Sequence, residues 1–449
     1  MSSGTVVARL VELTRGMRFE DFSPATMAAA RRAILDGLGC AIAATACAPA
    51  RLAAAVPVGG AGHATVIGEA LPSTLERAIL LNGIMLRYLD MMDVYWAQDV
   101  CHPSENVTVA LASVECHGGG GRDLIQALVA GYEAQMRLTH LLSLQAMGMH
   151  HVSAAGIVAP IIMGSAWKLP GEVVQHAVAL SGCRQFTVHA LSKGGISMAK
   201  AIGYAWSSME SVLGVRLAEQ GFTGPVHFLD WLTKEGPARD SFDALALAPD
   251  GAPLIERTSF KQFPVQFELQ TPNEVALRLH EQIGQARIAG VEIVVPPITA
   301  QRTADPSKFR PGNRETADHS LPVTVAMALL DGRLTAAQFE QDRWADDDVC
   351  TLAGNTRVVA DEGLAAAHPQ GRPARVTITL EDGRRLQAFQ DVPYGDAARP
   401  MDDRALEEKF LANTTDVIGA SRARAIVDRV GELEHMADIA QLTRLLAAQ

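Results

Sequence analysis

Ile288-Ala289-Gly290-Val291-Glu292-Ile293-Val294-Val295-Pro296-Pro297 is the stretch on which the fold turns. Its first eight residues are rich in β-branched side chains and alternate, and two prolines close the run, so it reads as a strand. Upstream of it only Thr65-Val66-Ile67 reads as extended, and then briefly. The rest is helical in pattern. Ser23 before Pro24 is an N-cap with proline at the first helical position, and Met27, Ile34, Leu35, Leu38 and Ile42 follow at helical spacing. Similar patterns cover 74–92, 105–116, 122–143, 151–167, 171–183, 199–219 and 226–234. Downstream, 272–284, 320–331 and 335–341 are helical in pattern, while Thr356 to Ala360 and Arg375 to Leu380 read as strands. Glu381-Asp382-Gly383 then turns the chain into a further strand, Arg385 to Gln390, and from Asp402 the pattern is helical again. The expected architecture is mostly α with an inserted α+β domain. A helical domain is built from 1–254 and 401–449, and a smaller lid from 255–400.

Composition agrees. A chain of 449 residues exceeds what one core organises, so two domains are expected. Aromatics are only 5% and Ala and Leu dominate the apolar set, which favours packed helices over a β-sandwich. The net charge of −11 comes without any dense Lys/Arg run, which argues against nucleic acid as a partner. An anionic substrate would need a cationic pocket inside this acidic envelope. The cysteines (40, 47, 101, 116, 183 and 350) form no C-x-x-C pair, so zinc-ribbon and common iron–sulfur spacings are absent and a reducing compartment is expected. Met1-Ser2-Ser3-Gly4 does not open a signal peptide, and no apolar run reaches membrane-spanning length uninterrupted. A cytoplasmic protein without membrane contact is the expectation.

Four segments concentrate polar chemistry. In the first, Asp90 and Asp93 stand three apart, which on a helix shares a face, and His102-Pro103-Ser104 follows. An imidazole near carboxylates suits proton transfer, although an exposed loop with capping acids has the same composition. In the second, His150-His151 precedes an apolar run. Adjacent histidines at a helix start point differently, so at most one is expected in a given site, and no third metal ligand has diagnostic spacing. In the third, Gly194-Gly195 leads to a helix start carrying Lys200, which offers a carboxylate both N–H groups and charge. In the fourth, Lys261 lies between Phe260 and Phe263. Either lysine would more commonly be a solvated surface cation. The run Gly118 to Gly121 fits no nucleotide-binding motif and reads as a loop before a helix, and Ser153 and Ser197 lack a nucleophile-elbow context.

Together these segments resemble the MmgE/PrpD family, which includes 2-methylcitrate dehydratase, cis-aconitate decarboxylase and an iminodisuccinate epimerase. The resemblance rests on Asn82-Gly83, Leu89-Asp90, Asp93 and His102-Pro103-Ser104 in order. It continues through Phe263 to Thr271, which is similar to the dehydratase branch, through Asp318-His319-Ser320 with the LLDGRL segment, and through Pro400 to Phe410. It implies a helical domain with an inserted lid, a homodimer, and a site between the domains that needs neither metal nor organic cofactor. It places Asp90, His102, one of His150 or His151, Lys200 and Lys261 in that site, with Asp93, Ser104, Gln266 and Glu268 as substrate contacts. The lysines would hold a small polycarboxylate, and the histidines would supply acid and base. Met92, Val94, Val323 and Glu268 depart from the family pattern, the first three by losing polar groups and the last by adding charge. The activity so implied is dehydration of a hydroxy-polycarboxylate or the reverse hydration. The alternatives are decarboxylation or epimerisation on the same scaffold, or a non-catalytic carboxylate-binding relative.

Overall fold

In the computed structural model, residues 4–248, 251–284, 286–367 and 371–448 are described; Met1 to Ser3, on which part of the leader-peptide reading rests, lie outside them. Helices dominate, as the apolar spacing requires. Ser23 Oγ accepts from the Thr26 N–H and caps the helix Pro24–Ala43. Thr74 does the same for Leu75–Tyr88, and Gly118, at φ +72°, closes Glu105–His117 in the left-handed conformation that glycine tolerates. The helix Ala199–Glu219 spans the residues expected of it.

Among the described residues two large apolar cores form, with two small clusters beside them. The larger gathers residues from Val6 to Ile255 with Phe410 to Leu446. The two chain ends meet there: Asp403–Ile418 packs on Pro24–Ala43, and Gly39 leaves room for the Phe410 ring, which a Cβ would approach at 3.0 Å. The glycine run 118–121 also serves this return. A Cβ on Gly121 would lie 1.7 Å from the Leu433 carbonyl, so the C-terminal segment can seat only on glycine.

The second core spans Phe263 to Leu380. Its sheet has the order Thr356–Ala360, Ile288–Val295, Ala374–Leu380, Arg385–Gln390, with the first pair parallel and the others antiparallel. Ile288–Val295 is therefore paired on both sides. Val291 faces Ile378 and Ile293 faces Val376, so the apolar sets of both strands share one face, which the helices Gln270–Ile283 and Leu321–Asp331 help to cover. The hairpin turns at Gly383, φ +86°. Among the described residues no single helix is long and apolar enough to cross a membrane.

Some elements differ from the sequence reading. Pro296-Pro297 does more than stop the strand, because Pro297 sits in the first turn of the short helix Pro297–Thr303. Asp347–Gly354 is a further helix that the pattern did not reveal. The extended piece near Thr65 lies slightly earlier, at Ala61–Ala64. The helix expected over 74–92 ends at Tyr88, and Asp90 takes φ +50°. Asp90 and Asp93 therefore do not share a helix face.

Candidate active site

The site is assembled around the end of Leu75–Tyr88. Asn82 accepts from the Ile67 N–H at 2.8 Å and donates to the Thr65 carbonyl at 2.9 Å, fixing the preceding segment against the helix. At Gly83 a Cβ would come within 2.6 Å of the Ala205 Cβ, so this helix and Ala199–Glu219 touch along their backbones. That close approach brings the loop after Tyr88 to Lys200.

Asp90 is the hub. Its Oδ1 accepts from Arg87 Nη1 at 2.7 Å and Lys261 Nζ at 2.9 Å, and its Oδ2 from Lys200 Nζ at 3.1 Å. Lys261 also donates to the Asp90 backbone carbonyl at 2.8 Å. Lys200, at 5% exposure, and Lys261, at 1%, are buried, not solvated. Burial pushes the Asp90 carboxyl up, but Lys200, Lys261 and Arg87 outweigh it and hold the group well below the usual carboxylate range. Burial lowers the Lys261 ammonium, opposed mainly by Asp90. Behind Lys200 stands Asp318, which accepts from His319 Nδ1 and, at 3.2 Å, from Arg314. Glu105 lies 3.4 Å from Arg87 Nε, and burial pushes it up to about 8, so it is largely protonated at neutral pH.

The histidines come from two loops. Tyr95–Trp96 and Val100–Cys101 form a small antiparallel hairpin that delivers His102. His102 Nδ1 lies 2.6 Å from the Asp93 carbonyl oxygen. A carbonyl only accepts, so Nδ1 carries the proton and Nε2 keeps a bare lone pair. Burial, then Arg87 and Lys261, holds this imidazole well below its ordinary value, hence neutral. His150 is extended and His151 opens a short 3₁₀ turn, so their rings stack at 4.1 Å and both line the cavity; the expectation that at most one would enter is corrected by this non-helical start. His150 Nδ1 accepts from the Val152 N–H, which leaves its proton on Nε2. Burial lowers His150 to about 3.

These groups line a cavity of about 510 Å³. Six Lys and Arg side chains against four carboxylates face it, a cationic excess inside an acidic protein. Asp90, His102, His150, His151, Lys200, Lys261, Gln266 and Glu268 are all brought to its wall. Asp93 and Ser104 are not. Asp93 accepts from the Ser104 N–H and the Tyr132 hydroxyl, both at 2.8 Å, and supports His102 from beneath. Met92, Val94 and Val323 are fully buried away from the wall, so they remove no substrate contact. Val94 instead pairs its backbone with Ser259, two residues before Lys261. Glu268 adds little free charge, because its Oε1 accepts from Arg302 Nη1 at 2.7 Å.

Arg87, Arg302, Lys308 and His319 also line the wall and were not singled out as site residues. His319 had a signal in the Asp318-His319-Ser320 segment, and Arg87 in standing one helical turn before Asp90. Arg302 and Lys308 had none, because they sit on short elements without periodicity. Among the described residues Asp90, Asp318 and His319 could offer three metal-ligand atoms within 4.8 Å of one another. Lys200 Nζ lies 3.1 Å from Asp90 Oδ2, 3.4 Å from His319 Nδ1 and 3.6 Å from Asp318 Oδ1, so an ammonium already takes the place a metal would occupy.

Two family models match the chain: the MmgE/PrpD N-terminal domain over residues 8–237 and the MmgE/PrpD C-terminal domain over 263–434. A 2-methylcitrate dehydratase of Cupriavidus necator is 27% identical, covering 91% of this chain and 90% of its own. The 2-methylcitrate dehydratase of Escherichia coli K12 is also 27% identical, with 88% of each chain covered. The cis-aconitate decarboxylase of Mus musculus is 25% identical over 84% of this chain and 79% of its own.

Proposed function

The chain belongs to the MmgE/PrpD family, and on that premise we propose that it is a hydro-lyase. It removes water from a small hydroxy-polycarboxylate such as a 2-methylcitrate-like acid, or adds it in reverse, without a metal. The observation that carries this reading is the bare Nε2 of His102 on a cavity wall with a cationic excess.

In this reading Lys200 and Lys261 face the substrate carboxylate next to the reacting carbon. His102 Nε2 takes the proton from that carbon, and the electron pair left behind delocalises into the carboxylate beside those ammonium groups. The adjacent carbon–oxygen bond breaks as the double bond forms, and the departing hydroxide takes a proton and leaves as water. His150, lowered to about 3, is neutral at pH 7 and donates a hydrogen bond from Nε2 rather than giving up a proton. The Lys200 ammonium, beside Asp90 on the cavity wall, supplies the proton that the departing hydroxide takes. The α+β unit, residues 255–400, acts as the lid that brings Lys261 down and excludes water. We also assign the protein to a homodimer, supported by Trp206 and Leu213, 50% and 65% exposed and two turns apart on one helix.

A panel of di- and tricarboxylates followed by proton NMR in deuterated water tests the reaction. Chelator-treated protein should convert a hydroxy-polycarboxylate to an unsaturated acid. Carbon dioxide release, or solvent deuterium entering without net change, would replace dehydration by decarboxylation or epimerisation. No change in any acid would sink the catalytic reading.

A further inference from the structure

We infer that Arg302 forms a second carboxylate subsite on the cavity wall, held by partners other than Asp90, which selects acids carrying an additional carboxylate. This inference rests on the polycarboxylate reading and names the group that discriminates among such acids.

Arg302 comes directly from the strand that decides the fold, because Ile288–Val295 leads through Pro296 into the helix Pro297–Thr303. Its guanidinium is held from two sides. Glu268 accepts from Nη1 at 2.7 Å, and Gln145 Oε1 accepts from Nη2 at 3.3 Å. The same group lies over the Trp96 ring at 5.5 Å, on the hairpin that delivers His102. A guanidinium has five N–H donors, and these contacts use two, so most of its donors remain for an anion. The Arg302 side chain is 23% exposed on the cavity wall, whereas the Glu268 side chain that orients it is 1% exposed.

Arg302 shares the Glu268 carboxylate with a second guanidinium. Burial pushes the Glu268 carboxyl up, but Arg302 and then Arg372 overcome it and hold it below its ordinary value. Glu268 thus sits between two guanidiniums, and Asp396 also acts on Arg372. A planar guanidinium fixed by a buried carboxylate and an aromatic face suits bidentate recognition of a second carboxylate. Lys200 and Lys261, by contrast, share their charge with Asp90. Arg302 is therefore assigned to binding, with its own set of partners separate from those of Asp90.

The test is calorimetric binding of propane-1,2,3-tricarboxylate and of glutarate to the full chain. The proteins are wild type and the variant Arg302→Gln, in which the Glu268 carboxylate keeps the Arg372 charge beside it. Wild type should prefer the tricarboxylate, and the variant should lose roughly 10- to 100-fold in affinity for it, the range of a charged hydrogen-bonded contact, while glutarate binding stays within about twofold. Equal losses for both acids, or none, would overturn the subsite and leave Arg302 a structural latch. If wild type binds neither acid, both the subsite and the polycarboxylate reading fail. Discrimination without turnover of any hydroxy acid sinks the reaction alone and upholds the subsite. An Arg302→Lys variant checks folding and should keep part of the preference, because it retains charge but not the planar fork.

Discussion

Lys261 Nζ donates to both the backbone carbonyl and the side-chain carboxylate of Asp90, at 2.8 and 2.9 Å. One ammonium from the α+β unit thereby holds a residue of the helical unit that has left its helix at φ +50°. Replacing Lys261 by Met leaves a buried carboxylate short of one cation, a change expected to cost on the order of 3 kcal/mol of stability. Turnover should fall by at least about 100-fold, the scale of losing one charge-stabilising group. Adding Asp90→Asn should not recover stability in urea denaturation, because Arg87 and Lys200 would then lose the carboxylate they share. Full turnover in Lys261→Met would remove Lys261 from the chemistry.

His102 is assigned as the base from its tautomer, and a His102→Gln variant keeps a donor for the Asp93 carbonyl while removing that base. The expected loss in kcat is about 100- to 10,000-fold, with solvent deuterium no longer entering the substrate. In the wild type the neutral imidazole is required. Burial and the neighbouring cations lower it, so protonation sets in only below the ordinary 6.5. The acid limb of kcat/KM should therefore lie below pH 6.5. A limb at or above that value would contradict the assignment.

Stability should fall on acidification, and the sign follows from which state binds more protons. His102, His150, His151 and His319 are all lowered from 6.5 by burial, so the unfolded chain takes up protons first as the pH drops. Each contributes a loss of up to about 1.4 kcal/mol per pH unit between 6.5 and its folded value, about 3 for His150. Asp93, raised to about 6, and Glu105, raised to about 8, act oppositely above their unfolded values of 3.8 and 4.5. Below pH 4.5 that opposition fades, and the lowered Asp90, Asp318 and Glu268 add to the loss. Urea midpoints should drop from pH 6 to 4 and more steeply beyond. A flat profile to pH 3.5 would refute this balance.

Lys409 acts at one remove from the cavity. Its ammonium donates to the Met91 carbonyl at 2.9 Å and to the fully buried Asp36 at 2.5 Å. Lys409→Met should destabilise the protein by about 3–5 kcal/mol by stranding Asp36. Lys409→Met/Asp36→Asn should restore folding while kcat stays reduced with KM little changed, because the Met91 carbonyl next to Asp90 is still unheld. Full kcat in the double variant would make Lys409 purely structural.

The exposed pair Trp206 and Leu213 gives the dimer its test. Changing both to Glu should produce a monomer by light scattering at micromolar concentration, with the helical circular dichroism retained. An unchanged mass would place any dimer contact elsewhere.

Much of the helical pattern was legible because apolar spacing in Ala- and Leu-rich segments is a local property, as at 199–219. Asp90, His102, Lys200 and Lys261 were legible as a collinear set, although their types alone also fitted solvated loops. Arg302 was not, because a lone arginine on a seven-residue helix has no periodic or motif signal. The reading of Met92, Val94 and Val323 as lost contacts failed for a related reason: position in a motif does not say which way a side chain points.

Ile288 to Val295, with the prolines after it, by itself determined that a strand interrupts a helical chain, since alternation and β-branching act over neighbouring residues. Only the tertiary structure decided that this strand would be paired on both sides and that its exit would carry Arg302 to Glu268. Only it decided that the His102 proton would sit on Nδ1, and that Asp90 would leave its helix to meet cations from residues 87, 200 and 261. Those outcomes depend on partners distant in sequence and on burial, which sets charge and tautomer and which no local pattern encodes.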